Sequence, residues 1–226
     1  FHLARSGRPG PVVIDIPKDV SAARSSYSRL DHIAFPFSKH ASRPGEVPIR
    51  RALDAVLSAR RPVLYVGGGI ANAGADETLR TFAETFCLPV APTLMGLGGF
   101  PSAHPLCLGM LGMHGTYAAN LAVAESDLLI AVGVRFDDRV TGKLATFAPH
   151  ARVIHIDIDP ANIGKNLTPT LSIAGDARQV LSDLLSLSSQ HDQQRLQECV
   201  NAKESWWEQI RRWQRSQPLR FTGSLS

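Results

Sequence analysis

The chain has 226 residues, 44% of them hydrophobic, with 24 Lys and Arg against 20 Asp and Glu and a formal net charge of +4. That length supports one good core with trailing ends. The charge is mild and no nucleic-acid-binding signature is present, which argues against a nucleic-acid partner; no apolar run nears the ~20 residues of a membrane span. Cys87, Cys107 and Cys199 are too far apart for a zinc pair or a disulfide framework and fit a reducing compartment.

The opening FHLARSGRPG has no initiator methionine and no signal-peptide layout, so it reads as a start within a longer protein. Pro11–Ile16 is predicted as a strand. Residues 21–46 are rich in Ser, Arg and Pro and read as a linker, which assigns residues 1–20 to the end of a preceding domain. Five further apolar runs predict strands: Pro62–Val66, Leu88–Leu94, Asp127–Val132, Arg152–Asp157 and Leu171–Ala174. Most are continuous in Val, Ile and Leu, the pattern of parallel strands covered on both faces. Helical spacing fills the gaps. Ile49, Ala52, Leu53, Val56 and Leu57 form one stripe, Leu79, Phe82, Ala83 and Phe86 another, and 116–124 and 177–187 are two more helices. Strand and helix alternate across 47–188, which predicts an α/β fold with a doubly wound, mainly parallel six-stranded sheet and helices on both faces. Trp206, Ile210 and Trp213 mark a basic helix within 189–226, a segment read as helix and linker.

Candidate ligand groups gather at the predicted carboxyl ends of strands, where open α/β sheets bind ligands. Gly67, Gly68 and Gly69 follow one strand and fit either close approach to a phosphate or flat ring, or a tight turn. Thr93, Leu94 and Met95 open a second glycine-rich loop, and Leu111, Gly112, Met113 and His114 precede a helix. In GVRFDDRVTGK, Arg135 can hold a diphosphate or stack on a flat ring, and Asp137 and Asp138 can accept from ring N–H groups or orient the arginines. Asp157 fits a ribose hydroxyl; Gly175 and Asp176 fit an adenine edge or a helix N-cap. Four successive strand ends of this kind imply an extended, nucleotide-sized ligand. No catalytic residue and no metal ligand is assigned. A scaffold domain with an empty rim is the rival reading. A nicotinamide-dependent dehydrogenase would need GxGxxG, and Gly67-Gly68-Gly69-Ile70-Ala71-Asn72 lacks the last glycine.

The segments SGRPGPVVIDIPKDV, RPVLYVGGG, TLMGLG, LGMLGMHG, DLLIAVGVRFDDRVTGK and VIHIDID resemble the catalytic large subunit of acetolactate synthase (acetohydroxyacid synthase) through most of residues 5–180. The resemblance implies a Rossmann-like central domain of a thiamine diphosphate enzyme that holds FAD. It implies FAD contacts at Arg8, Gly67, Gly68, Gly69, Thr93, Leu94 and Met95, and along the flavin at Leu111, Gly112, Met113 and His114. Further implied contacts are Gly133, Val134, Arg135, Asp137, Arg139 and Val140, then Asp157, Ile158, Asn162, Gly175, Asp176 and Ala177. Asp138 and Arg139 match positions near a substrate channel. The whole enzyme is expected to condense two 2-keto acids with loss of carbon dioxide in branched-chain amino-acid synthesis, in the bacterial cytoplasm. It is expected to work as a homodimer or homotetramer with a regulatory small subunit. Residues 1–20 would end a pyrimidine-binding domain. Thiamine diphosphate and magnesium would be held on flanking domains, because the GDG motif that binds them is absent here; this chain alone is expected to be inactive.

Overall fold

A computed structural model describes residues 1–27, 43–190 and 193–219. Most of the predicted 21–46 linker and the last seven residues lie outside the described residues. The elements run α1 (His2–Arg5), α2 (Lys18–Ala22), α3 (Glu46–Ser58), β1 (Pro62–Val66), α4 (Gly69–Ala73), α5 (Asp76–Phe86), β2 (Val90–Pro92), α6 (Tyr117–Ala124), β3 (Leu128–Val132), α7 (Asp138–Thr141), β4 (Arg152–Asp157), β5 (Leu171–Ala174), α8 (Ala177–Ser188), α9 (Gln193–Asn201) and α10 (Glu204–Ser216).

The strands form one parallel sheet in the order β2-β1-β3-β4-β5. It has five strands, not the six predicted. Pro11–Ile16 joins no ladder, and Val12, Val13, Ile14 and Ile16 are all exposed. A continuous apolar strand needs cover on both faces, and nothing described covers this one. The strand predicted over Leu88–Leu94 shrinks to Val90–Pro92. Leu88 N–H instead donates to Ala83 O at the end of α5, and Thr93 Oγ1 accepts from Gly96 N–H in a short 3-10 turn.

Side chains alternate across the sheet as strand geometry requires. Leu64, Val66, Ile130, Val132, Ile154 and Ile156 face one core, packed by α3, α4, α5 and α8. Val63, Tyr65, Leu129, Ala131 and Val153 face the other, packed by α6 and α10. The starts of α6 and α8 are capped by Thr116 and Asp176, whose side chains accept from Ala119 N–H and Gln179 N–H, each at 3.1 Å.

The tail helix α10 is an integral layer of this domain. Trp206 is buried and its Nε1–H donates to Pro62 O at 3.1 Å, and Trp207 Nε1–H donates to Cys87 O at 2.9 Å. Its partner α6 is short and alanine-rich on its buried side, with Ala118, Ala119, Ala122 and Val123. Small side chains let the large indoles complete that core. The buried Lys203 joins α9 to α10, its Nζ donating to Cys199 O at 2.8 Å.

Candidate functional site

The strand order changes direction between β1 and β3: the chain leaves β1 toward β2 on one side and then returns to build β3, β4 and β5 on the other. A crevice opens at such a switch point, beyond the carboxyl ends of the strands. The ends are level, because Val66 pairs with Val132, Val132 with Ile156 and Asp157 with Ala174. At the crevice the two backbones nearly touch. A Cβ on Gly67 would lie 2.2 Å from Gly133 O, and one on Gly69 would lie 2.5 Å from Gly133 Cα. Gly67 N–H donates to Val132 O and Gly69 N–H to Gly133 O. Two of the three glycines expected to approach a ligand therefore serve the close contact between β1 and β3. Gly68 borders open space, where a Cβ would meet only Met95, at 3.3 Å.

Two cavities meet at this ridge. The first, about 330 Å³, runs from Gly68 and Gly69 over the ends of β3 and β4 to Asp176 and Ala177 at the start of α8. Its floor holds Asp157, which is buried. Asp157 Oδ1 accepts from Asp159 N–H and Oδ2 from Asn162 Nδ2, each at 2.9 Å. These bonds fix the carboxylate, and each oxygen keeps a lone pair for a further donor. Arg8 reaches this cavity from the amino-terminal segment, with Nη1 3.9 Å from Asp159 Oδ2.

The second cavity, about 480 Å³, lies between the Thr93–Met95 turn, the loop before α6 and the 133–140 segment. Leu94, Leu111, Val134 and Val140 make it largely apolar. Arg135, Asp137, Arg139 and His114 stand exposed around it. This alternation comes from Phe136, which takes a left-handed φ of +50°. That conformation is costly for a bulky residue. It buries the phenyl ring against Tyr65 and His155 while Arg135 and Asp137 face out. Asn166 secures the turn: its Nδ2 donates to Arg135 O at 2.9 Å and to Phe136 O at 3.1 Å. Across the cavity, Asn120 both accepts from Gly112 N–H and donates to Gly112 O, at 3.1 Å each. Gly112 has φ +103°, and Arg139 O would lie 3.0 Å from a Cβ there.

Charge is arranged locally. Asp137 caps α7 and lies 3.5 Å from Arg135 Nη2. Its carboxyl is held below the usual carboxylate range, first by hydrogen bonding with Asp138, then by Arg139 N–H and the guanidinium groups of Arg135 and Arg139. His155 is pushed down by burial, against the opposing pull of Val134 O and Asp157. It is therefore a neutral ring bonded at Nε2 to Val134 O, 3.0 Å away. Nδ1 has no partner among the described residues.

Residues 49–184, more than half of the chain, match the family described as thiamine pyrophosphate enzyme, central domain. The chain belongs to this family. Its relatives include the acetolactate synthase isozyme 3 large subunit of Escherichia coli (strain K12), 46% identical over 223 residues, which are 98% of this chain and 38% of that protein. The acetolactate synthase large subunit of Corynebacterium glutamicum is 54% identical over 185 residues, 82% of this chain and 30% of that protein. A probable acetolactate synthase large subunit of Methanocaldococcus jannaschii is 46% identical over 218 residues, 93% of this chain and 35% of that protein. The chain is similar to acetolactate synthase large subunits along most of its length and spans between 30% and 38% of theirs.

Within this thiamine pyrophosphate enzyme central domain, the sequence-predicted residues distribute unevenly. Arg8, Gly69, Asp157, Ile158, Asn162, Asp176 and Ala177 line the first cavity. Gly67, Thr93, Leu94, Leu111, Met113, His114, Val134, Asp137, Arg139 and Val140 line the second. Gly68, Met95, Gly133 and Arg135 line both. Gly112, Asp138 and Gly175 line neither. Gly112 serves the contact with α7, Asp138 is exposed, and a Cβ on Gly175 would crowd Val180 and Pro44. Sequence reasoning missed Tyr65, Phe136, Asn120 and Asn166. Tyr65 looked like one more apolar strand residue, and a left-handed phenylalanine leaves no mark in composition. Asn166 lies 30 residues from the carbonyl it holds, beyond any local pattern.

The residues fit an extended dinucleotide. Gly68 and Gly133 leave the passage between the two cavities without a Cβ, a polar carboxylate end lies on one side, and an apolar slot lies on the other. Among the described residues no group of His, Cys, Asp or Glu is placed to hold a metal ion, and no helix is long and apolar enough to cross a membrane.

Proposed function

We propose that this domain binds FAD along the carboxyl rim, with the adenosine over Asp157 and Asp176 and the isoalloxazine ring in the apolar slot beside Leu111 and Val140. The observation that carries this reading is the pair of abutting cavities, one bearing the Asp157 and Asp176 carboxylates and the other more apolar, that share Gly68, Met95, Gly133 and Arg135. Arg135 lies at the junction, where a diphosphate joining the two ends of a dinucleotide would sit. Asp157 would accept from ribose hydroxyls, and Leu94, Met95 and Met113 would contact the ring. Such contacts bind and orient; the flavin would add a flat apolar surface to the wall of a substrate channel that includes Arg139 and Asp138.

On this reading the intact protein is an acetolactate synthase that condenses pyruvate with pyruvate or 2-ketobutyrate in the bacterial cytoplasm. It would be a homodimer or homotetramer with a regulatory small subunit. Thiamine diphosphate and magnesium would bind flanking domains, with residues 1–20 ending one of them and the far end of the chain leading to the other. The present chain would then lack condensing activity by itself. Titrating FAD into the purified chain and following flavin fluorescence tests the proposal. The expected result is a saturable change; no saturable change at high micromolar FAD would favour an empty scaffold.

A further inference from the structure

Tyr65 is the next-to-last residue of β1 and is 1% exposed. Its ring packs against Phe136 with centroids 5.7 Å apart. Its hydroxyl has no hydrogen-bond partner among the described residues. The hydroxyl oxygen is not one of the fully buried side-chain atoms left without a partner, so it keeps access to the open space of the cavity that the residue lines. Tyr65 also lines the apolar cavity, with Leu111, Val134 and Val140 as neighbours in its wall. The charged and imidazole donors Arg135, Arg139 and His114 lie exposed at the mouth, whereas this phenol is sunk in the wall. Burial, and secondarily the Asp137 carboxylate, push its ionisation upward, so the phenol keeps its proton and acts as a donor.

We infer that the Tyr65 hydroxyl is a ligand-binding group that donates a hydrogen bond to an acceptor atom, a carbonyl oxygen or ring nitrogen, of the flat heteroaromatic ring occupying this cavity. The inference rests on the FAD proposal, with the isoalloxazine as that ring. It assigns Tyr65 two distinct properties. In the free protein the hydroxyl bonds to no described residue, and in the complex it is a specific contact.

Tyr65→Phe separates them, because phenylalanine keeps the ring packing against Phe136 and removes only the hydroxyl. Two measurements on the 226-residue chain are needed: the melting temperature without ligand and the FAD dissociation constant by fluorescence. The expected result is an unchanged melting temperature, together with roughly fivefold to tenfold weaker FAD binding. A lowered melting temperature would show that the hydroxyl serves the protein and would overturn the assignment. Equal FAD affinity in the variant and the wild type would also overturn it, leaving the FAD proposal standing. Failure of the wild type to bind FAD would remove both.

Discussion

Replacing Gly133 by alanine tests the close approach that shapes the crevice, and replacing Gly74 supplies its control. Gly133 has φ +60° and Gly74 has φ +56°, so both substitutions carry the same left-handed backbone cost, about 1 kcal/mol. They differ in surroundings. A Cβ on Gly133 would lie 2.5 Å from Gly69 Cα, whereas nothing lies within 4 Å of one on Gly74. The obstacle at Gly133 is backbone and cannot rotate aside, so overpacking adds about 1–3 kcal/mol. The sum is about 2–4 kcal/mol for Gly133→Ala against about 1 for Gly74→Ala. At about 2–4 °C per kcal/mol for a domain of this size, the first variant melts about 10 °C below wild type and the second about 3 °C below. Thermal melts followed by circular dichroism, with urea titrations as a check, read the difference. Two variants melting within about 2 °C of each other would refute the contact between β1 and β3 as the reason for these glycines.

Three more outcomes follow from particular contacts. Trp206→Ala removes a buried indole and its bond to Pro62 O and is expected to cost about 3–5 kcal/mol in urea unfolding, whereas a linker helix would show almost no change. Asn166→Ala frees Arg135 O and Phe136 O and costs about 1–2 kcal/mol, with faster hydrogen exchange concentrated in residues 134–140. His155 titrates lower in the folded state than its unfolded value of about 6.5, so the unfolded chain binds the proton first as pH falls. Its contribution is fully present above about pH 6.5 and is lost as pH drops from there through the folded value; urea unfolding across that window would show the decline, and His155→Gln would flatten it.

Much of the sheet was legible because buried parallel strands leave a plain mark, a short continuous run of Val, Ile and Leu. Pro62–Val66, Leu128–Val132 and Arg152–Asp157 lie where that mark puts them. The same mark misleads at Pro11–Ile16, because composition records that a segment tolerates burial and not whether a covering partner is present. The tail shows the converse. Trp206, Ile210 and Trp213 carried a clear helical stripe, yet what receives it is the alanine-lined face of α6, a vacancy visible only after folding. At the candidate site, charged and glycine residues next to strand ends could be read directly. The positive φ of Phe136, the clamps from Asn120 and Asn166, and the unpaired hydroxyl of Tyr65 could not, since each depends on a distant segment or a backbone state.

The central claim is that the two cavities form a single dinucleotide site joined at Arg135. Isothermal titration of the chain with FAD, FMN and ADP tests it most directly. FAD is predicted to bind more tightly than either half, with FMN and ADP each displacing it and with Arg135→Ala weakening FAD more than it weakens ADP or FMN. FAD binding no tighter than ADP, with FMN unable to compete, would mean that the apolar slot holds no ring and would contradict the account.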